Sequence, residues 1–179
     1  QLELRGLPFA ILAPDEELVL ARLVGEVRDG LSIRRPRRVP LRRVVAEEVV
    51  DARDVQAAGA KDVVLVAHSL GCVAAAHWAG KFGTTIKGAL LVAPSDCETE
   101  KYRSTFDSKG FGPVPLDRLA FRSIVVASTN DEWVAIETAK HFADAWGSEF
   151  VNVGAKGHIN PGSGFGEWNE GLELLKRLD

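Results

Sequence analysis

The amino-acid sequence predicts an α/β protein: a single domain over residues 1–179, built as a three-layer α/β/α sandwich around a sheet of about six mainly parallel strands. Three observations carry this expectation. Short apolar runs alternate with segments of helical periodicity, the order that produces a parallel sheet covered by helices on both faces. A chain of 179 residues, 46% hydrophobic and 26% charged, has the size and composition of one ordinary globular domain with its own core. No internal repeat, linker or change of composition divides it.

Taken in order, the first apolar run is Phe9 to Ala13. Leu20, Leu23, Val24 and Val27 then share one helical face, with Asp15 as a start signal and Gly30 as a stop. A short strand follows at Leu31 to Ile33, and Val45, Val49 and Ala52 mark a helix ending near Gly59. Val63 to Ala67 is a run of five apolar residues, and from Gly71 to about Lys81 small residues including Ala74, Ala75 and Ala76 suit a helix packed closely on a sheet. The remaining strands are Ala89 to Ala93, Ile124 to Ser128 and Phe150 to Val153; the remaining helices are Trp133 to Trp146 and Glu167 to Leu178. One connection, Pro94 to Arg122, is much longer than the roughly 15 residues that compact domains tolerate without a purpose. It is either a wall of a binding pocket or a surface excursion.

Charge and cysteine content exclude several function classes. The net charge is −3, which argues against nucleic acid as the main partner. The run Ile33 to Arg43 holds six arginines, but it has no interleaved aromatic residue and is followed at once by Glu47, Glu48, Asp51 and Asp54, so it reads as a solvated loop. Two cysteines, Cys72 and Cys97, are too few for a disulfide framework and form no CxxC pair. His68, His77 and His141 lack metal-ligand spacing, and His77 reads as a helix-surface residue. The glycine-rich GSGFG at residues 162–166 has no following Lys-Ser/Thr and is not a phosphate loop. No metal is expected from these spacings. No apolar run reaches the length of a membrane span and no leader signature opens the chain, so a cytoplasmic protein without a membrane partner is expected. The chain has no Met and begins at Gln1, which is not a normal initiator and suggests sequence upstream. The oligomeric state cannot be read from it.

In an open parallel sheet, ligands bind beyond the carboxyl ends of the strands. Three such ends bear reactive groups: His68-Ser69 after the third expected strand, Asn130-Asp131 after the fifth and Gly157-His158 after the sixth. A serine hydroxyl is a weak nucleophile at neutral pH and needs an imidazole to take its proton, while a carboxylate holds that imidazole in the useful tautomer. The chain order Ser, Asp, His is that of the α/β-hydrolase triad. Ala67-His68-Ser69-Leu70-Gly71 satisfies the demand of a sharp strand-to-helix elbow for small residues two before and two after the nucleophile, with Ala67 in place of the usual glycine. Each residue also has a plainer role: Ser69 as a helix N-cap, Asp131 as a cap ahead of Trp133, His158 as a loop residue. Asp96, after the fourth expected strand, is a rival acid. Cys72, in the first helical turn, is either a thiol of depressed pKa or, the stronger reading, a small packing residue.

The segments VVLVAHSLGCVAAAHWA, GALLVAPSD, FRSIVVASTNDEWV and AKGHINPGSGFGEWNEGLELL resemble the compact serine-hydrolase family that includes the retinoblastoma-binding serine hydrolase and small bacterial relatives. The resemblance covers Val63 to about Leu175 and implies a reduced α/β-hydrolase fold with no cofactor. It implies Ser69 as nucleophile, Asp131 as the acid in preference to Asp96, and His158 as the base. The expected activity is cleavage of small carboxylic esters or related acyl bonds through an acyl-enzyme, with a small acyl compound as substrate. The other expectation is a catalytically weak binding module on the same fold. Leu70 would supply one backbone N–H to the oxyanion hole, and His68 and Asn130 are candidate pocket residues, His68 having a structural role as its alternative. The family's glycine-rich turn after the first strand is absent, Leu12-Ala13-Pro14-Asp15 standing there, and Glu132 replaces a common proline. Because proline has no N–H, Asp15 or Glu16 is expected to supply the second donor, imperfectly.

Overall fold

The computed structural model describes residues 9–12, 18–19, 63–82, 86–164 and 168–178. The strands are β1 (Phe9–Leu12), β2 (Leu18–Val19), β3 (Val64–His68), β4 (Gly88–Val92), β5 (Arg122–Ala127) and β6 (Glu149–Asn152). The helices are α1 (Leu70–Phe82), α2 (Glu100–Thr105), α3 (Ile136–Trp146) and α4 (Asn169–Lys176). Among the described residues the six strands form one sheet in the order β2-β1-β3-β4-β5-β6. β3 to β6 are parallel; β1 runs antiparallel to both its neighbours.

Side chains alternate across a strand, and both faces of β3, β4 and β5 are covered. Leu65, Ala67, Ala89, Leu91, Val125 and Ala127 point to the layer formed by α1 and α3. Val64, Val66, Leu90, Val92, Ile124 and Val126 point to the opposite layer, where Trp168, Leu174 and Leu178 of the α4 region meet them. This double covering is why these strands read as unbroken apolar runs. In α1, Cys72, Val73, Ala74, Ala75 and Ala76 are all buried, so the helix is apolar around most of its circumference and short side chains let it lie close to the sheet.

Several boundaries differ from the sequence expectation. Leu18 and Val19 pair with β1, Val19 opposite Ile11, so they are strand rather than part of the helix expected after Asp15. The rest of that helix, the strand at Leu31 to Ile33 and the helix ending near Gly59 lie outside the described residues. α3 starts at Ile136 instead of Trp133, because the Asp131 carboxylate accepts the Trp133 N–H at 2.9 Å and Ala135 is extended. It ends on Gly147 at φ +69°, where Ser148 N–H reaches Ala143 O (2.8 Å) and Gly147 N–H reaches Asp144 O (3.3 Å).

The long segment after β4 is tied to the body of the protein. His77, expected on the surface, is half-buried and its Nε2 meets Phe111 O at 2.8 Å. Trp146 Nε1–H donates to Pro115 O at 2.7 Å, and Val114, Leu119 and Phe121 are buried. Within it, α2 buries Tyr102 and is capped by the Thr99 hydroxyl, which accepts Tyr102 N–H at 3.2 Å.

Candidate active site

The parallel strands β3, β4, β5 and β6 all point their carboxyl ends to one edge, and the loops that leave them converge there. At the end of β3, Ser69 has φ +58°, in the left-handed region that L-residues other than glycine seldom occupy. Its N–H is held by Val92 O at 2.9 Å, and its carbonyl accepts Cys72 N–H at 3.0 Å as α1 begins. This sharp turn lifts the hydroxyl clear of the strand. Two more non-glycine residues share the conformation, Ala93 (φ +49°) just after β4 and Ile159 (φ +47°) next to His158. Such positions cost on the order of 1–3 kcal/mol each and persist where surrounding contacts over-determine them. Here Ser69 and Ala93 directly follow strand ends, and Ile159 lies in the loop after β6.

Ser69 Oγ lies 2.8 Å from His158 Nε2, and His158 Nδ1 lies 2.8 and 3.0 Å from the two Asp131 oxygens. The Asp131 side chain is wholly buried and that of His158 is 8% exposed, so water competes little for these bonds. A carboxylate can only accept, which requires the proton on Nδ1 and leaves the Nε2 lone pair facing the Ser69 hydroxyl. Asp96 is elsewhere: its carboxylate caps a local turn, accepting Glu98 N–H at 3.2 Å.

The loop that bears His158 is held from four directions. Lys156 N–H donates to Ser128 Oγ (2.9 Å), Gly157 N–H to Asn130 Oδ1 (2.7 Å), and His158 N–H to Ser163 Oγ (3.0 Å). The fourth is His68, whose Nε2–H donates to His158 O at 2.8 Å while the two rings meet edge to face at 4.8 Å. Gly157 has φ +55°, and a side chain there would collide with the Ser163 hydroxyl at 2.6 Å. Asn130, a candidate pocket residue by sequence, uses its carbonyl oxygen to tie this loop to the end of β5, accepting from Ser128 Oγ as well (2.9 Å).

Burial, the larger effect, lowers the His68 pKa to about 4 against the raising effect of its bond to the His158 carbonyl. His68 is therefore neutral in the fold at pH 7. Its unfolded pKa is near 6.5, so between about pH 6.5 and 4 the unfolded chain takes up a proton that the fold refuses. The contribution, on the order of 3 kcal/mol, is present above pH 6.5 and lost as the pH falls towards 4. Urea midpoints measured from pH 7.5 to 4.5 are expected to fall, and His68→Gln, which keeps an N–H donor but cannot titrate, should flatten the decline. An equal slope in both chains would exclude His68 as its source.

The thiols are inert by the same physics. Burial pushes the Cys72 thiol pKa far up, overcoming its position in the first turn of α1, and Cys97 is raised to about 11, chiefly by burial and then by Glu98 and Asp96. Among the described residues no three His, Cys, Asp or Glu side chains stand close enough to hold a metal ion, and no helix is long and apolar enough to cross a membrane.

Leu70 opens α1, where first-turn N–H groups lack intrahelical partners. The proposed second donor region, Ala13 to Glu16, lies outside the described residues. Sequence reading missed one group at the site. Ser95 Oγ lies 2.8 Å from Ser69 Oγ and is fully buried. The available signal was positional: Ser95, like Ser69 and Asp131, follows closely on a strand end.

The serine hydrolase family model matches residues 40–177. A protein assigned as a YdeN-like hydrolase from Pectobacterium atrosepticum is 35% identical with a TM-score of 0.54, the match covering 64% of this chain and 58% of that one. This chain therefore spans little more than half the length of that relative. The ydeN gene product of Bacillus subtilis has a TM-score of 0.58 at 19% identity, covering 70% of each chain. MGS-MChE2, an α/β hydrolase from a lagoon-sediment metagenome, has a TM-score of 0.50 at 16% identity, covering 70% of this chain and 64% of that one. Both agree in fold. No curated protein matches the sequence.

Proposed function

The chain belongs to the serine hydrolase family, and from that premise we propose that it cleaves small carboxylic esters or related acyl bonds, with Ser69 as nucleophile, His158 as general base and Asp131 as the group that orients it. The observation that carries this reading is the unbroken line of short hydrogen bonds from Ser69 Oγ through the His158 ring to the Asp131 carboxylate.

In the proposed reaction a lone pair of Ser69 Oγ forms a bond to the acyl carbon as the hydroxyl proton moves to His158 Nε2. The carbonyl π pair moves onto oxygen, where the Leu70 N–H stabilises it in this reading. Collapse expels the alcohol, which takes the proton from Nε2, and leaves Ser69 acylated. Water then repeats the sequence, with His158 accepting its proton and returning it to Ser69 Oγ. Asp131 stays ionised throughout and stabilises the imidazolium. Because the second donor is expected from Asp15 or Glu16 and only imperfectly, turnover is expected to be slow and confined to activated esters with good leaving groups, the full loss of a donor costing about 10²- to 10³-fold.

The test is direct. The protein should release p-nitrophenol from p-nitrophenyl acetate and react once with a fluorophosphonate, the adduct mapping to the peptide that contains Ser69. Absence of both, or an adduct at another serine, would overturn the proposal.

A further inference from the structure

The hydrogen-bond donors around Ser69 can be counted. Its hydroxyl has one proton, and the bare Nε2 of His158 at 2.8 Å claims it. Ser95 Oγ also lies 2.8 Å from Ser69 Oγ, and with the Ser69 proton committed, that second bond must be donated by Ser95. Ser95 is fully buried, so no water offers it a competing partner from bulk solvent. The donors then run in one direction, Ser95 to Ser69 to His158.

We infer that Ser95 is a further catalytic residue of this site, donating a hydrogen bond to Ser69 Oγ that aims the nucleophile's proton at His158 and stabilises the negative charge collecting on that oxygen as the proton leaves. The inference rests on the serine-hydrolase reading above and assigns a role to a residue outside its triad. The backbone holds the group there: Ser69 N–H is bonded to Val92 O at the end of β4, and Ala93, with φ +49° and its N–H on Val126 O at 2.8 Å, turns the chain so that Ser95 faces the elbow. Because the same oxygen is the leaving group when the acyl-enzyme is hydrolysed, the donor assists both halves of the reaction. It does so without contacting the distant parts of the substrate, so its loss should appear in rate and not in substrate binding.

Ser95→Ala is expected to lower both the rate constant of fluorophosphonate inactivation and kcat on p-nitrophenyl acetate by about 10- to 100-fold, at or below the 10²- to 10³-fold loss of an oxyanion donor because His158 shares the charge on Ser69 Oγ, with KM changed less than about threefold. A folded Ser95→Ala chain that reacts within threefold of the parent, or that loses affinity instead of rate, would overturn the inference. If Ser95→Ala lowers the melting temperature, Ser95→Cys refills the space with a weak donor: stability restored with the rate still at least tenfold down upholds the role, whereas recovery of both overturns it. Failure of the parent to label at Ser69 would sink the triad reading and this inference together; labelling of the parent and of Ser95→Ala at equal rates would sink this one alone.

Discussion

Ser69→Ala is expected to abolish fluorophosphonate labelling and to lower ester turnover on the order of 10⁵- to 10⁶-fold, the loss typical when the nucleophile of such a unit is removed. Ser95 carries a hydroxyl close by, but among the described residues its only hydrogen-bonded link to an imidazole runs through Ser69 Oγ, so it has no base of its own. Cys72, three residues further on, is buried with its thiol bonded towards Ala67 O and Val92 O, and its raised pKa keeps it protonated. The substitution removes one oxygen without disturbing the backbone bonds of the elbow, so the circular dichroism spectrum and melting temperature should be those of the parent. A folded Ser69→Ala protein that still labels or turns over ester at a comparable rate would show that the nucleophile is elsewhere.

The second large effect is expected at Asp131. Asp131→Asn should reduce turnover by about 10⁴-fold, because an amide can donate to Nδ1 and thereby favour the tautomer with its proton on Nε2, which cannot accept from Ser69. The asparagine oxygen can still receive the Trp133 N–H that Asp131 Oδ1 now accepts, so the turn ahead of α3 should survive. Asp96→Asn is the control, expected to leave turnover within about threefold, since Asp96 caps a turn through an oxygen that asparagine retains. The reverse ranking would transfer the acid to Asp96. Small, equal losses in both variants would favour a binding module that keeps the fold without relying on the triad.

These two variants also mark where sequence reading reached its limit. Ser69 and His158 were legible from local grammar: an apolar run ending in Ala-His-Ser-Leu-Gly announces a strand, an elbow and a helix, and the histidine follows the last such run. The choice between Asp96 and Asp131 could not be made on that basis, because both carboxylates follow parallel strands and periodicity says nothing about which loop turns towards the imidazole. Resemblance to a family favoured Asp131, and the geometry brings its carboxylate, 27 positions from His158, against Nδ1.

What the sequence determined by itself is the layered architecture and the edge at which the reactive groups gather. Val64–His68, Gly88–Val92, Arg122–Ala127 and Glu149–Asn152 each fall within a residue or two of the expected strands. β3, β4 and most of β5 are buried on both faces and so are apolar at nearly every position, a requirement that is written locally. Tertiary structure alone decided the hydrogen-bonded partners at that edge. Ser95 against Ser69, the neutral His68 beneath the His158 carbonyl, and the ties from Ser128 and Asn130 to the His158 loop join residues 26 to 90 positions apart in the chain. Such contacts depend on the register in which strands pair and on turns held at positive φ, and the contacts that compensate the strain of those turns come from distant parts of the chain. No periodicity along the sequence encodes them, because their energy exists only once the strand ends have met.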